Sequence, residues 1–279
     1  MKLGMVVNAT PGATPLAADL ALEEAAALAA SAGFEGVELA VADPLHVDVS
    51  ALRAMLSGLR LQAPALGTGA AYDEGLSLSH PDPSRRAGAM ARLKAHVDLG
   101  SALGAAVIVG LIRGRASDGL GRDEALRLIA EHLGEVAAYA ASLGVRLLLE
   151  PINRYETDLI NTVEDALAEA EAAGGNVGLL IDTFHMNIEE RRIAESVRAA
   201  GSRVWHVHVA DSNRLAPGLG HLDFREVVDA LRDVGYDRYL SAEILHRPDA
   251  RTAFAATYMH LAPLIGVNRG QISGGSPRR

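Results

Sequence analysis

Four apolar runs in the second half of the chain deliver side chains able to bind a cation or move a proton. "VRLLLE" stops at Glu150 and "NVGLLID" stops at Asp182, with His185 three residues on. "SRVWHVHVA" carries His206 and His208, two apart and so on one side of an extended strand. "YLSAEI" delivers Glu243. A lone acid after a strand is usually a helix cap or a solvated loop residue, and a lone histidine beside apolar neighbours is usually a core residue with a satisfied hydrogen bond. Several such groups brought to one end of one sheet are costly to bury without compensation. A divalent cation is the simplest compensation. Three carboxylates and one imidazole form a hard, oxygen-rich set, suited to manganese, magnesium or cobalt rather than to a structural zinc.

Convergence requires a fold that places these ends together. Short apolar runs alternate with segments of 3.6-residue periodicity along the whole chain. The spacing predicts helices over Leu16–Ser31, Val49–Leu59, Asp82–Leu103, Arg122–Leu143, Thr162–Ala173, Ile188–Ala200, Phe224–Val234 and Arg251–Ile265. Glycines 33, 104 and 144 follow predicted helices, as C-terminal caps should. Strand–helix units in this order imply a parallel sheet covered by helices, and eight of them close into an α/β (β/α)₈ TIM barrel whose active site lies at the C-terminal ends of the strands. An open doubly wound sheet is the alternative, but "NATPGATP" after the first strand fits neither nucleotide-binding fingerprint. One barrel is expected over residues 1–267, with a Gly/Ser/Pro-rich, disordered tail over 268–279.

Composition narrows the function. The chain has 279 residues and a net charge of −9, with no obvious basic patch, which argues against nucleic acid as a partner. The absence of cysteine rules out disulfides and thiolate metal sites and fits a cytoplasmic location. No run approaches the roughly 20 apolar residues of a membrane span, so no membrane partner is expected.

At these strand ends the sequence resembles the ketose 3-epimerases, the D-tagatose and D-psicose 3-epimerase group of xylose-isomerase-like barrels. The matching stretches are "EPINRYETDLINT", "DTFHMNIEE", "HVHVADSNR", "PGLGHLDF" and the later "AEI". "GTGAAYDEGLSLSHPD" and "VIVGLIRGR" in the first half look most like the 5-keto-L-gluconate epimerase branch. The resemblance covers nearly the whole chain except the tail. It implies Glu150, Asp182, His208 and Glu243 as ligands of one divalent metal, with Mn2+ favoured over Co2+ or Mg2+. It also implies Glu150 and Glu243 as catalytic residues, and Glu156, His185 and Arg214 as substrate contacts. Leu215 stands where that branch has a larger aromatic residue. A homo-oligomer is expected.

Epimerisation beside a ketone removes a proton and returns one to the opposite face of a planar enediolate, so it needs an acid/base group on each face. Glutamates from strands five and eight can flank such an intermediate, and a cation can stabilise its charge. Arg113 and Arg115, which follow strand four, have two readings: capture of a sugar-acid carboxylate, or a solvated loop. The expected substrate is a free, unphosphorylated ketose or keto-sugar acid, with 5-keto-L-gluconate and D-tagaturonate favoured from the first-half resemblance, the two arginines and the absence of a glycine-rich phosphate cradle. The alternatives are a D-tagatose/D-psicose-type 3-epimerase, a hydroxypyruvate-type aldose–ketose isomerase needing one base only, a metal-dependent endonuclease on the same barrel, and a non-catalytic sugar-binding barrel. His206 is expected one layer below the metal; His80 and His221 have no assigned role.

Overall fold

Eight short strands, nearly all of whose residues are buried, pair in parallel and close on themselves: β1 (Lys2–Asn8), β2 (Gly36–Ala40), β3 (Ala65–Gly67), β4 (Ala106–Val109), β5 (Leu147–Leu149), β6 (Val177–Asp182), β7 (Val204–Val209) and β8 (Tyr239–Ala242). This computed structural model describes residues 1–266; the expected tail lies outside them. The barrel order is sequential, with β8 pairing back to β1. Ala65, Ile108, Leu148 and Leu180 fill the barrel, while the larger core lies between the barrel and its helices.

Register brings the site together. Asp182 pairs with His208 across β6 and β7, and His208 pairs with Ser241 of β8, two residues before Glu243. Val109 of β4 pairs with Leu149 of β5, which sets Gly110 beside Glu150. A Cβ on Gly110 would stand 3.0 Å from Glu150 Oε2, so glycine leaves that carboxylate its space.

Most helices begin at side-chain caps. Asp82 accepts from Ser84 N–H ahead of Pro83–Leu103, and Thr162 and Asp165 form a reciprocal capping box at Val163–Ala173. Two predicted helices differ. The first begins at Leu22 rather than Leu16, because the Asn8 side chain binds both main-chain groups of Thr14 and turns residues 13–16 over the barrel mouth. The segment expected over Ile188–Ala200 is two helices, Thr183–Glu189 and Ile193–Ala200. Glu190 leaves the helix to accept from Val163 N–H and Ser196 Oγ–H. Among the described residues no helix is long and apolar enough to cross a membrane.

Candidate active site and metal centre

Each acid of the cluster has a local reason for its position. Glu150 is the residue after β5, its N–H bonded to Val109 O. Asp182 ends β6 and caps the following helix, Oδ1 accepting from Phe184 N–H at 2.7 Å, which leaves Oδ2 for the barrel mouth. His208 lies within β7, and Glu243 follows β8. One ligand atom from each of Glu150, Asp182, His208 and Glu243 lies within 4.8 Å of those of the other three.

The cluster's geometry fits a cation. His208 Nε2 is 2.8 Å from Glu38 Oε1. On the other side of the ring, Nδ1 is 3.7 Å from Glu150 Oε1, 3.6 Å from Asp182 Oδ2 and 3.6 Å from Glu243 Oε2. Those separations exceed a hydrogen bond, and Nδ1 is buried with no hydrogen-bond partner among the described residues. A buried ring nitrogen facing three carboxylate oxygens, its other nitrogen held by a further carboxylate, is the arrangement of a metal-ligating histidine with its orienting partner. A second group, Glu38 with His206 and His208, is not an open ligand set, because both Nε2 atoms already face Glu38, that of His206 at 2.7 Å.

Electrostatics agree with the crowding. Burial, reinforced by Glu243 and Asp182, pushes the Glu150 carboxyl up to about 8 against the pull of His208. Burial acts to raise Asp182 and Glu243, but the Arg214 guanidinium and His208 together, with His185 as well at Asp182, outweigh it and hold both below the usual carboxylate range. Arg214 Nη1 donates to Asp182 Oδ2 at 2.7 Å and Nη2 donates to Glu243, while the guanidinium lies 4.7 Å from the Phe184 ring centre. Its backbone is left-handed at φ 62, a conformation held by Arg214 N–H on Asp211 O and Leu245 N–H on Arg214 O.

A cavity of about 290 Å³ opens above the cluster, lined by Glu150, Glu156, His185, His208, Arg214 and Glu243 among others. That is near the lower end of small-molecule sites, about 300 Å³. A larger cavity, about 800 Å³, opens at the opposite mouth of the barrel, where Asp237 is the one lining acid among the described residues. It lacks the converging carboxylates, and the C-terminal mouth is where this architecture carries its chemistry.

The remaining expected residues divide. His185 is buried with Nε2 3.8 Å from Glu150 Oε1, and Glu156 stands at the cavity rim. Arg113 and Arg115 do not line the cavity, and the carboxylate-capture reading is corrected. Arg113 is 0% exposed, and its guanidinium donates to the carbonyls of Gly110, Leu159 and Ile160 at 3.0–3.2 Å. It clamps the loop after β4 to the loop after β5, where Ile160 is left-handed at φ 54. Arg115 lies over the Tyr72 ring, 5.0 Å from its centre. Leu215 and His221 also lie away from the cavity lining; His80 Nδ1 accepts from Asp82 N–H in the loop before a helix. His206 is buried against Glu38, one layer below His208, as expected. Glu38 and Asn153 were missed. An acid inside the apolar run "GVELA" was the available signal for Glu38; Asn153 offered none.

A family model described as "Xylose isomerase-like TIM barrel" matches residues 26–262. The chain belongs to the xylose isomerase-like TIM barrel family. Within this family it is 36% identical over 218 residues to an L-ribulose 3-epimerase of Methylomonas sp. (strain DH-1), covering 76% of this chain and 74% of that protein. It is 36% identical over 230 residues to an L-ribulose 3-epimerase of Mesorhizobium japonicum, covering 80% of this chain and 75% of that protein. A solved D-allulose 3-epimerase from Methylomonas sp., in complex with D-allulose, superposes with a TM-score of 0.81 at 28% identity, over 94% of this chain and 96% of that one.

Proposed function

We propose that this protein is a divalent-metal-dependent epimerase that inverts the carbon beside the ketone of a free ketose. The observation that carries the proposal is the convergence of Glu150, Asp182, His208 and Glu243 at the floor of a sugar-sized cavity. The protein is an enzyme of the isomerase class. Glu150 and Glu243, from strands three apart around the barrel, serve the two faces of the substrate: one takes the proton from carbon 3, the other supplies a proton from the opposite side. His185 and Arg214 donate to substrate oxygens, and Glu156 closes the rim. Glu150, Asp182, His208 and Glu243 would hold the divalent cation, which would supply positive charge to stabilise the anion formed on proton removal. Manganese is the cation proposed, cobalt and magnesium being chemically close. A cytoplasmic homo-oligomer belongs to the same proposal.

A neutral ketose suits the cavity better than the keto-acid pair 5-keto-L-gluconate and D-tagaturonate. Among the described residues lining it, Arg214 is the one lysine or arginine, and Asp182 and Glu243 take an N–H from each of its Nη atoms, which leaves single N–H groups for a hydroxyl but no unpaired positive charge to balance a carboxylate. The names of the relatives, L-ribulose 3-epimerase and D-allulose 3-epimerase, support neutral substrates.

The test is turnover in deuterated water with Mn2+ on D-allulose, L-ribulose, D-tagatose and the two keto-acids. An epimer carrying deuterium at carbon 3 is expected, with neutral ketoses preferred. Glu150→Gln and Glu243→Gln should each abolish inversion, and one of them can retain solvent exchange on a single face. Near wild-type inversion in either variant sinks the two-base reading, and an aldose product in place of an epimer makes the enzyme an aldose–ketose isomerase.

A further inference from the structure

The side chain of Asn153 has one possible orientation. It is 1% exposed, and its Oδ1 accepts from the Tyr155 main-chain N–H at 2.9 Å. On the opposite side, Nδ2 lies 2.8 Å from Glu156 Oε1 and 2.8 Å from His185 Nδ1. Exchanging oxygen and nitrogen would set Oδ1 against a carboxylate oxygen and the NH2 group against an N–H donor. Each of those contacts is repulsive, so the main chain at Tyr155 and the carboxylate of Glu156 together settle the amide. The two Nδ2 hydrogens are then both committed, one to Glu156 and one to His185.

A ring nitrogen that receives a hydrogen bond carries no proton. An imidazolium bears a hydrogen on both nitrogens, so a ring whose Nδ1 accepts from Asn153 is neutral. A neutral ring with a bare Nδ1 bears its hydrogen on Nε2. That nitrogen is 3.8 Å from Glu150 Oε1, and His185 lines the cavity.

We infer that Asn153 sets the tautomer of His185, holding the ring hydrogen on Nε2 so that the histidine meets a substrate oxygen as a donor. Asn153 is a positioning residue: it acts through His185 and is not among the residues lining the cavity. The geometry stands alone, whereas the consequence for turnover rests on the proposed epimerase function. Without Asn153, the Glu156 carboxylate would still stand by His185 Nδ1, with Oε1 at 3.9 Å. That carboxylate would draw the hydrogen onto Nδ1 and leave Nε2 a bare acceptor facing Glu150, unable to donate.

The tautomer is read directly from two-bond ¹⁵N–¹H correlations of histidine rings in the full-length, ¹⁵N-labelled protein with diamagnetic Mg2+. His185 is assigned by its loss in His185→Gln. The wild-type ring should show the Nε2–H pattern. In near-isosteric Asn153→Leu the pattern should move toward Nδ1–H, and Asn153→Asp, which presents only acceptors, should place a proton on Nδ1. In Asn153→Leu, kcat on D-allulose should fall about 10²–10³-fold, the loss typical of removing one positioned donor, with KM changed far less. An Nδ1–H ring in the wild type overturns the inference whatever the variants do. An Nε2–H-only ring in both variants also overturns it. A switched tautomer with undiminished kcat refutes the donor role. A wild-type protein inert toward every ketose would instead count against the proposed function, and the spectrum would still decide the tautomer.

Discussion

Replacing Glu38 with glutamine tests the proposed metal centre from one layer below it. The Glu38 carboxylate offers only acceptors: Oε2 is 2.7 Å from His206 Nε2 and Oε1 is 2.8 Å from His208 Nε2. Burial acts to raise its pKa, but His208 and His206 outweigh that and hold it well below the usual carboxylate range, so it is ionised. Both rings therefore carry hydrogen on Nε2, and in its neutral form His208 presents a bare Nδ1 to Glu150, Asp182 and Glu243. A glutamine can accept from one ring only. Its NH2 group must face the other Nε2, which then has to be bare, and that ring's hydrogen moves to Nδ1. Where the affected ring is His208, the lone pair aimed into the carboxylate cluster is lost. Partners that orient a ligating histidine are worth about 10–100-fold in metal affinity, or about 1.4–2.7 kcal/mol. With free Mn2+ at about 100 times the wild-type Kd, the cation adds about 2.7 kcal/mol of stability, and after that weakening about 1.4 down to 0.4 kcal/mol. The assay is calorimetric Mn2+ titration together with thermal melts with and without metal. The metal-induced rise in Tm is the quantity to compare, because removing a buried charge also changes the metal-free protein. A Kd within twofold of wild type and an undiminished rise would refute the orientation argument.

Three further outcomes follow from the same contacts. Asp182→Asn should weaken Mn2+ binding by more than the roughly 100-fold of an orienting-partner change, and chelated wild type should lose both activity and Tm; full activity without metal would overturn the site. Arg113→Ala leaves the carbonyls of Gly110, Leu159 and Ile160 without their donor, so it should destabilise the fold by about 3 kcal/mol or more and lower kcat/KM equally for keto-acid and neutral ketose. A loss of about 1.5–3 kcal/mol confined to the acid would restore carboxylate capture. Glu169, whose Oε1 is buried without a hydrogen-bond partner among the described residues, is raised by burial from 4.5 to about 7 against the pull of Arg113. Its folded pKa lies above the unfolded one, so its contribution to stability is full below pH 4.5 and is lost as pH rises through about 7. Glu169→Gln should thus gain on wild type across that window by about 1–2 kcal/mol, discounted for partial solvent access; urea unfolding at low and high pH should differ, and an equal difference at both would count against it.

The barrel and its cluster were legible because few alternatives satisfy them. Buried parallel strands must be apolar on both faces, so they read as continuous runs, and the strand ends at Glu150, Asp182 and Glu243 stand out as acids stopping those runs. Closure then forces the ends together, so residue type and position sufficed without any contact being known. Element boundaries were less legible. Nothing in the periodicity of "NIEERRIAESV" announces that Glu190 is taken by Val163 and Ser196, and the helix breaks there for tertiary reasons. The arginines failed for a related cause. "LIRGR" places two cations after β4, but the acceptors of Arg113 at Leu159 and Ile160 lie 46 and 47 residues away in the chain. Main-chain carbonyls have no sequence signature at all.

Glu38 and Asn153 mark the same boundary from inside the site. A ligand must be an acid or an imidazole, so its identity survives in the sequence. A group that orients a ligand need only offer a donor or an acceptor at the right place, and many residue types qualify. What selects Glu38 is that the acid in β2 and the two histidines of β7 all point into the barrel, 168 and 170 residues apart in the chain. What selects Asn153 is a main-chain N–H two residues away that turns its amide toward His185. The first could have been suspected from a buried charge that demands a partner. The second exists only as hydrogen-bond direction, which is decided after the chain has folded.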